Sequence, residues 1–381
     1  MNKKIISALS ALSIILSTVF ITVEAKADQQ APTLAILDTA IDTSLPIFKD
    51  KIVYEVCVLE WNSCPNGQKF MEGTGSAVLP SNIIKNNGFD HGTQMASVAI
   101  RTNPNIKIVF IRIIGNTPSG LRQSTGETGV SLALKWVQDN QSKFNIQAVS
   151  MSQANHNILT TLTDYCPATP MLRGMISSLL SAGVPTFFAA GNMRDLSRLS
   201  WPACINDSIS VGMADQYEQI DNYSNFDKDR LDYYANGNMQ VLIPGGEIRN
   251  ASGSSISTQV LAATWIYIKS AKPGIPYNEV INTLNVISKP IKGARGQYGK
   301  LIPSSQSPIS AQVPVSQPVP VVTPAPANKT AEQLAAEKKA ALLAEANKAL
   351  ALAEAQYQAE IKAAADKLAA IKAEWAKKIN G

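Results

Sequence analysis

Six apolar runs punctuate the middle of the chain: TLAIL (33–37), IKIVFIRII (106–114), QAVSMS (147–152), VPTFFAA (184–190), SISVGMA (208–214) and MQVLI (239–243). They are close to continuous, the pattern of strands buried on both faces of a parallel sheet. Between them, VSLALKWVQDN (130–140) and MLRGMISSLLSAG (171–183) repeat apolar residues at three and four, the period of a helix with one buried face. Strand–helix alternation predicts an α/β fold, a doubly wound and mostly parallel sheet with helices on both faces. It covers residues 28–302, and reactive groups are expected at the carboxyl ends of its strands.

Both ends of the chain break this pattern. At the start, Lys3 and Lys4 precede an apolar run from Ile5 to Val23 and an Ala25-Lys26-Ala27 triplet. This reads as a secretory signal peptide over residues 1–27, cut after Ala27, which places the protein outside the cell or in the periplasm. The run is nearly long enough to span a bilayer, so an uncleaved anchor is the alternative. The A-x-A site favours cleavage, and no cysteine at the cut invites a lipid. Residues 303–328 hold seven prolines and no apolar face, an extended spacer. Residues 329–381 are rich in alanine, lysine and glutamate and predict one long helix, with Thr330 and Gln333 fitting a capping box. Leu343, Leu350, Tyr357 and Ile371 fall on sevens, as do Ile361, Leu368 and Trp375. This heptad seam makes a coiled coil one reading and a solitary solvated helix the other. As a stalk, the helix would serve self-association or an envelope partner.

With 381 residues, 45% of them apolar, the chain can build one large core or two domains. Its formal charge of +5 sits mainly at the ends, each near +2, and the middle is close to neutral. No basic face for nucleic acid is predicted. Export turns the four cysteines into expected disulfide partners. Three pairings are open. Proximity favours Cys57 with Cys64, closing CVLEWNSC, which leaves Cys166 with Cys204. No Cys-x-x-Cys pair exists and there are only two histidines, so a structural zinc site is not expected.

Three further stretches carry chemistry. LAILDTAID (34–42) puts Asp38 at the exit of a strand, DHGTQMASVAI (90–100) puts His91 at the start of a helix, and ASGSSISTQVLAAT (251–264) puts Ser255 at the start of another. The order Asp, His, Ser is similar to that of the subtilisin-like serine peptidases, the subtilases. FFAAGNMRD (187–195) resembles the family segment that supplies an oxyanion-hole asparagine, here Asn192. WPACINDSISVG, VLIPGG and YGKLI follow the family's downstream pattern, so the resemblance covers about residues 31–302.

The resemblance implies a secreted endopeptidase. Ser255 would be the nucleophile, His91 its general base, and Asp38 the group that orients and stabilises the imidazole. Asn192 and the N–H of Ser255 would hold the oxyanion. The family's Gly-Thr-Ser-Met-Ala matches Gly253-Ser254-Ser255-Ile256-Ser257, which leaves Ser252 and Ser254 as caps or packing groups. Ser152, Gln153 and Ala154 would line one wall of the substrate pocket, and Ala190 and Gly191 the other. A polypeptide would bind there by strand addition. Ser152-Gln153-Ala154-Asn155 stands where the family usually has Ser-Leu-Gly-Gly, and the added Cβ atoms are expected to narrow the pocket. His156 has no motif around it and reads as a loop residue.

Several positions depart from the family. Ala40 replaces a glycine, Gln94 a histidine and Gln259 a proline. Ile47 stands where an acidic calcium ligand is usual, so that calcium site is expected to be lost; no cofactor and no metal ligand is assigned, and calcium elsewhere stays open without support from the sequence. Only residues 28–33 separate the cleavage site from the first strand, where secreted subtilases commonly carry a propeptide. The alternative reading is therefore a catalytically silent subtilase-fold binding module on a helical stalk.

Overall fold

The structure is a computed structural model, and it describes residues 31–303 apart from 87, 118, 124, 155–165, 167 and 169. The expected signal peptide, nearly all of the spacer, the 329–381 helix and His156 lie outside the described residues. Everything described belongs to the first of two compact units, which ends at Ser310.

In chain order the first elements are β1 (Thr33–Asp38), β2 (Ile52–Val58), β3 (Phe70–Glu72), α1 (Ser81–Ile84), α2 (His91–Thr102) and β4 (Lys107–Arg112). A small hairpin of β5 (Gly115–Asn116) and β6 (Arg122–Gln123) leads to α3 (Glu127–Asn140), β7 (Ile146–Met151), α4 (Pro170–Ser181), β8 (Thr186–Ala189), β9 (Ile209–Ala214) and β10 (Tyr233–Asn236). A second hairpin, β11 (Asn238–Leu242) and β12 (Ile248–Ser252), precedes α5 (Ser254–Ala271), α6 (Tyr277–Ile287), β13 (Lys289–Lys292) and β14 (Tyr298–Ile302).

Ten strands form one sheet in the order β13-β14-β10-β9-β8-β7-β1-β4-β2-β3. From β14 to β2 all neighbours are parallel, and only the outermost strands, β13 and β3, run antiparallel. Residues of β1 alternate between the two layers. Leu34 and Ile36 pack with Val98 of α2 and Val260 of α5, while Ala35 and Leu37 pack with Leu134 of α3 and Leu179 of α4. Helix α5 is buried almost all round, from Ile256 to Trp265 and Ile266, as expected of an apolar helix through the middle of a core. Strand β1 lies between β4 and β7, so the order reverses at β1, the place where sheets of this kind take ligands at the strands' carboxyl ends. Asp38 is the last residue of β1.

The predicted doubly wound sheet is therefore the observed one, with one strand reassigned. MQVLI does not join the parallel sheet. It forms most of β11, paired antiparallel with β12, with Gln240 exposed between buried Met239 and Val241. The Pro-Gly-Gly turn closes this hairpin, with Ile243 N–H donating to the Glu247 carbonyl at 3.0 Å. Strand β2 escaped the hydrophobic reading because Glu55 interrupts it. That side chain is buried, and its carboxylate accepts the Ala77 N–H at 3.2 Å. The disulfides are Cys57–Cys64 and Cys166–Cys204, the pairing that proximity favoured.

Candidate active site

The three expected triad residues each sit at an element end, where backbone polar groups are free to meet a ligand. Asp38 closes β1 and is fully buried. Its Oδ1 accepts the Thr39 N–H at 2.7 Å and faces His91 Nδ1 at 2.8 Å, with Oδ2 3.0 Å from the same nitrogen. A proton on Nδ1, donated to the carboxylate, leaves Nε2 free as a base. His91 opens α2 and keeps 23% of its side chain exposed, enough to meet a substrate.

The Gly92 that follows is needed for this approach. A Cβ there would lie 2.4 Å from the Ala40 carbonyl oxygen. The Gly92 N–H donates to Thr39 Oγ1 at 2.9 Å, and that hydroxyl donates on to the Phe89 carbonyl. Thr39 thus pins the start of α2 to the end of β1. Ala40 is not among the residues with positive φ, so alanine replaces glycine there without backbone strain. Gln94 donates to Asp90 Oδ2 at 2.9 Å, and Arg249 pairs with the same oxygen at 2.7 Å. Among the described residues, these contacts link His91 to Asp38 and, through the neighbouring Asp90, to Arg249.

Ser255 is the second residue of α5. Its N–H belongs to the first turn and has no partner within the helix, so it stays available at the positive end of the helix dipole. The bend before the helix needs glycine, because Gly253 has φ 154° and a Cβ there would press on Asn192 Nδ2 at 3.2 Å. No serine side chain caps α5. Instead Ser254 accepts the Gly191 N–H at 3.1 Å, and Asn192 Oδ1 accepts the Ser254 N–H at 2.8 Å. The serine run thus ties the helix to the loop after β8. With Oδ1 occupied, Asn192 has its Nδ2 group left to donate. Asn225 braces this loop, its Oδ1 accepting the N–H groups of Met193 and Asp195 at 2.8 and 3.2 Å.

The Ser255 hydroxyl donates to the Ser152 carbonyl at 3.1 Å, and among the described residues no hydrogen bond joins it to His91. Apo catalytic contacts are often loose and close only around substrate. Ser152 Oγ donates in turn to the Ser255 carbonyl at 2.9 Å and accepts from Gln259 Nε2 at 2.9 Å. Gln259 Oε1 accepts the Ser150 hydroxyl at 3.0 Å. Gln259, where the family has proline, is fully buried and stitches α5 to the end of β7.

The expected pocket walls divide in character. Ala190 and Gly191 are buried, and their backbone is engaged internally: Ala190 with Val211 and Ser200, Gly191 with Asn225 and Ser254. Ala154 is exposed, and among the described residues neither it nor Gln153 makes a backbone–backbone bond. Gln153 differs from its expected place as a pocket wall. It is buried, and its Nε2 donates to Asp38 Oδ1 at 2.8 Å, 3.0 Å from His91 Nδ1. Arg122 donates to its Oε1. Sequence reasoning missed Arg122, Asn225 and the inward turn of Gln153, since each acts through partners far along the chain.

A buried carboxylate, an imidazole and a serine at a helix mouth beside a free amide form a constellation suited to acyl transfer. The subtilase family model matches residues 29–294. The chain belongs to the subtilase family. Among curated subtilases it is 23% identical to Subtilisin Savinase of Lederbergia lenta over 235 residues, which is 59% of this chain and 79% of that protein. It is 23% identical to the Major intracellular serine protease of Bacillus subtilis (strain 168), over 62% of this chain and 68% of that one. Its similarity to the Alkaline protease of Alkalihalobacillus alcalophilus, also 23%, spans only 56% of that protein. The fold is shared with a cold adapted subtilisin-like serine proteinase (TM-score 0.53, 19% identity, 72% of this chain and 89% of that one). A mutant of the protease domain of PatA matches similarly (TM-score 0.54, 18% identity, 69% and 90%). Among the described residues no helix is long and apolar enough to cross a membrane.

Proposed function

We propose that this subtilase is a secreted serine endopeptidase that cleaves polypeptides through Asp38, His91 and Ser255. The observation that carries the reading is the buried Asp38 carboxylate held on His91 Nδ1 at 2.8 Å, which sets Nε2 as the base. As Ser255 Oγ attacks the scissile carbonyl carbon, His91 Nε2 takes its proton. The carbonyl π pair moves onto oxygen, where Asn192 Nδ2 and the Ser255 N–H donate to it. Collapse breaks the C–N bond, and His91 gives its proton to the leaving amine. Water then adds to the acyl-enzyme by the same route, releasing the acid and restoring Ser255. The substrate strand would pair with residues 152–154, beside the buried wall of Ala190 and Gly191. Export is supported by the basic-apolar N-terminus and by the two disulfides.

A second reading, a silent binding module, draws on one observation: the Ser255 hydroxyl is engaged with Ser152 and not with His91. Fluorophosphonate labelling separates the two. The parent and Ser254→Ala are expected to label, and Ser255→Ala is not. A folded, disulfide-bonded parent that fails to label would favour the silent module.

A further inference from the structure

The amide of Gln153 lies between a guanidinium and a carboxylate, and this fixes its orientation. Arg122 can only donate, so the atom facing it must be Oε1, and the NH2 group must face Asp38. Oδ1 of Asp38 therefore serves three donors: the Thr39 N–H at 2.7 Å, His91 Nδ1 at 2.8 Å and Gln153 Nε2 at 2.8 Å. The subtilase sequence pattern has leucine at this place, and leucine donates nothing.

Arg122 is held in position from outside the triad. It lies on the β5–β6 hairpin, which is fastened to the Cys57–Cys64 loop through a bond between Asn62 and Gln123. Glu60 in the same loop accepts the Gly126 N–H at 2.7 Å just beyond the hairpin. Gly88, three residues before His91, lies beside the guanidinium, where a Cβ would make ordinary contact with Arg122 Nη1 at 3.4 Å. Desolvation lowers the Arg122 pKa, while Asp38 and Asp90 pull it upward. The cation thus interacts with both carboxylates near His91.

We propose that Gln153, clamped by Arg122, is a positioning residue of the triad that shares the Asp38 carboxylate with His91 and weakens the ring's hold on a proton. The carboxylate charge favours imidazolium, and each further donor on Oδ1 draws on that charge. The Arg122 cation acts in the same direction. Asp90 opposes it, but its charge is already shared with Arg249 and Gln94. The catalytic meaning of this proposal rests on the peptidase reading, but its test does not.

The chain has two histidines, so a His156→Gln background assigns the His91 ring signal in NMR titrations. In Gln153→Leu the titration midpoint of that signal is expected to rise by roughly 0.5 pH unit or more, given a lost hydrogen bond to a charged group. Arg122→Met should raise it less, and should add little when combined with Gln153→Leu, since both act through one amide. The acid limb of kcat/KM should move with the ring. A midpoint unchanged or lowered in both variants overturns the proposal, as does a higher KM in Gln153→Leu with an unmoved ring. Arg122→Met alone decides if Gln153→Leu does not fold, because it alters a surface hairpin. If the midpoint rises but no peptidase activity is ever found, the positioning role stands and the catalytic reading falls.

Discussion

On the proposed reading, Asn192 divides one amide between two tasks. Its oxygen accepts the Ser254 N–H at 2.8 Å, which leaves the NH2 group as the donor. Asn192→Ala would remove both the donor and its anchor. We expect kcat to fall on the order of 10²–10³-fold with KM little changed, a loss taken from the size seen for such a donor in this same family. Steady-state kinetics on a peptide substrate would check it, and a loss confined to KM would remove Asn192 from the oxyanion site. At this scale the sequence was informative where one short motif carries its own geometry. Asp38, His91 and Ser255 each lie at an element end, and Asn192 in the loop just after β8, all marked by neighbouring residues such as Gly92 and Gly253. The side-chain direction of Gln153 was not legible. It depends on Arg122, 31 residues earlier, and no periodicity links a hairpin tip to the end of a distant strand.

At the scale of elements, α5 is attached to β7 by polar stitches as well as by apolar contact. Gln259 meets both Ser150 and Ser152 in a fully buried setting. Gln259→Leu keeps the apolar contact but takes a partner from each hydroxyl. It should destabilise the fold by about 1–3 kcal/mol, read as a lower urea midpoint with an unchanged slope. A neutral result would mean that water or local repacking replaces the amide. Runs of apolar residues announced β1, β4, β7, β8 and β9, because a central parallel strand is apolar on both faces. The same criterion misplaced MQVLI, whose Gln240 marks a half-solvated hairpin strand. It also passed over β2, where buried Glu55 serves a backbone N–H. Charge inside a strand conceals it from a hydrophobic scan whenever a partner from elsewhere makes that charge tolerable.

Over the whole molecule, stability should decline in alkali through β10. Burial pushes Tyr233 up to about 12 and raises Tyr234 further above the ordinary tyrosine range. A phenol whose folded value exceeds its unfolded value of about 10 stabilises the fold below pH 10. That contribution is lost as pH rises toward the folded values. Tyr234 is fully buried, and its hydroxyl has no partner among the described residues. Tyr234→Phe is therefore expected to hold or gain stability near neutrality and to lose less of it in alkali. Urea midpoints at about pH 8 and about pH 11 would show this as a smaller drop than the parent's. An equal drop would place the alkaline sensitivity elsewhere.

The margins of the large sheet have a consequence for how such a molecule coexists with copies of itself. On one side lies β13, Lys289-Pro290-Ile291-Lys292, where proline removes an amide donor and two lysines flank the edge. On the other lies β3, only three residues long. If the proposed peptidase reading holds, a molecule that takes its substrates as extended backbone with unused hydrogen-bonding groups would cut its neighbours wherever they displayed the same. These margins display very little of it. Blunted edges would thus give the folded protein a measure of immunity to self-digestion, and the sheet would become a target for its own kind only once unfolding exposed it.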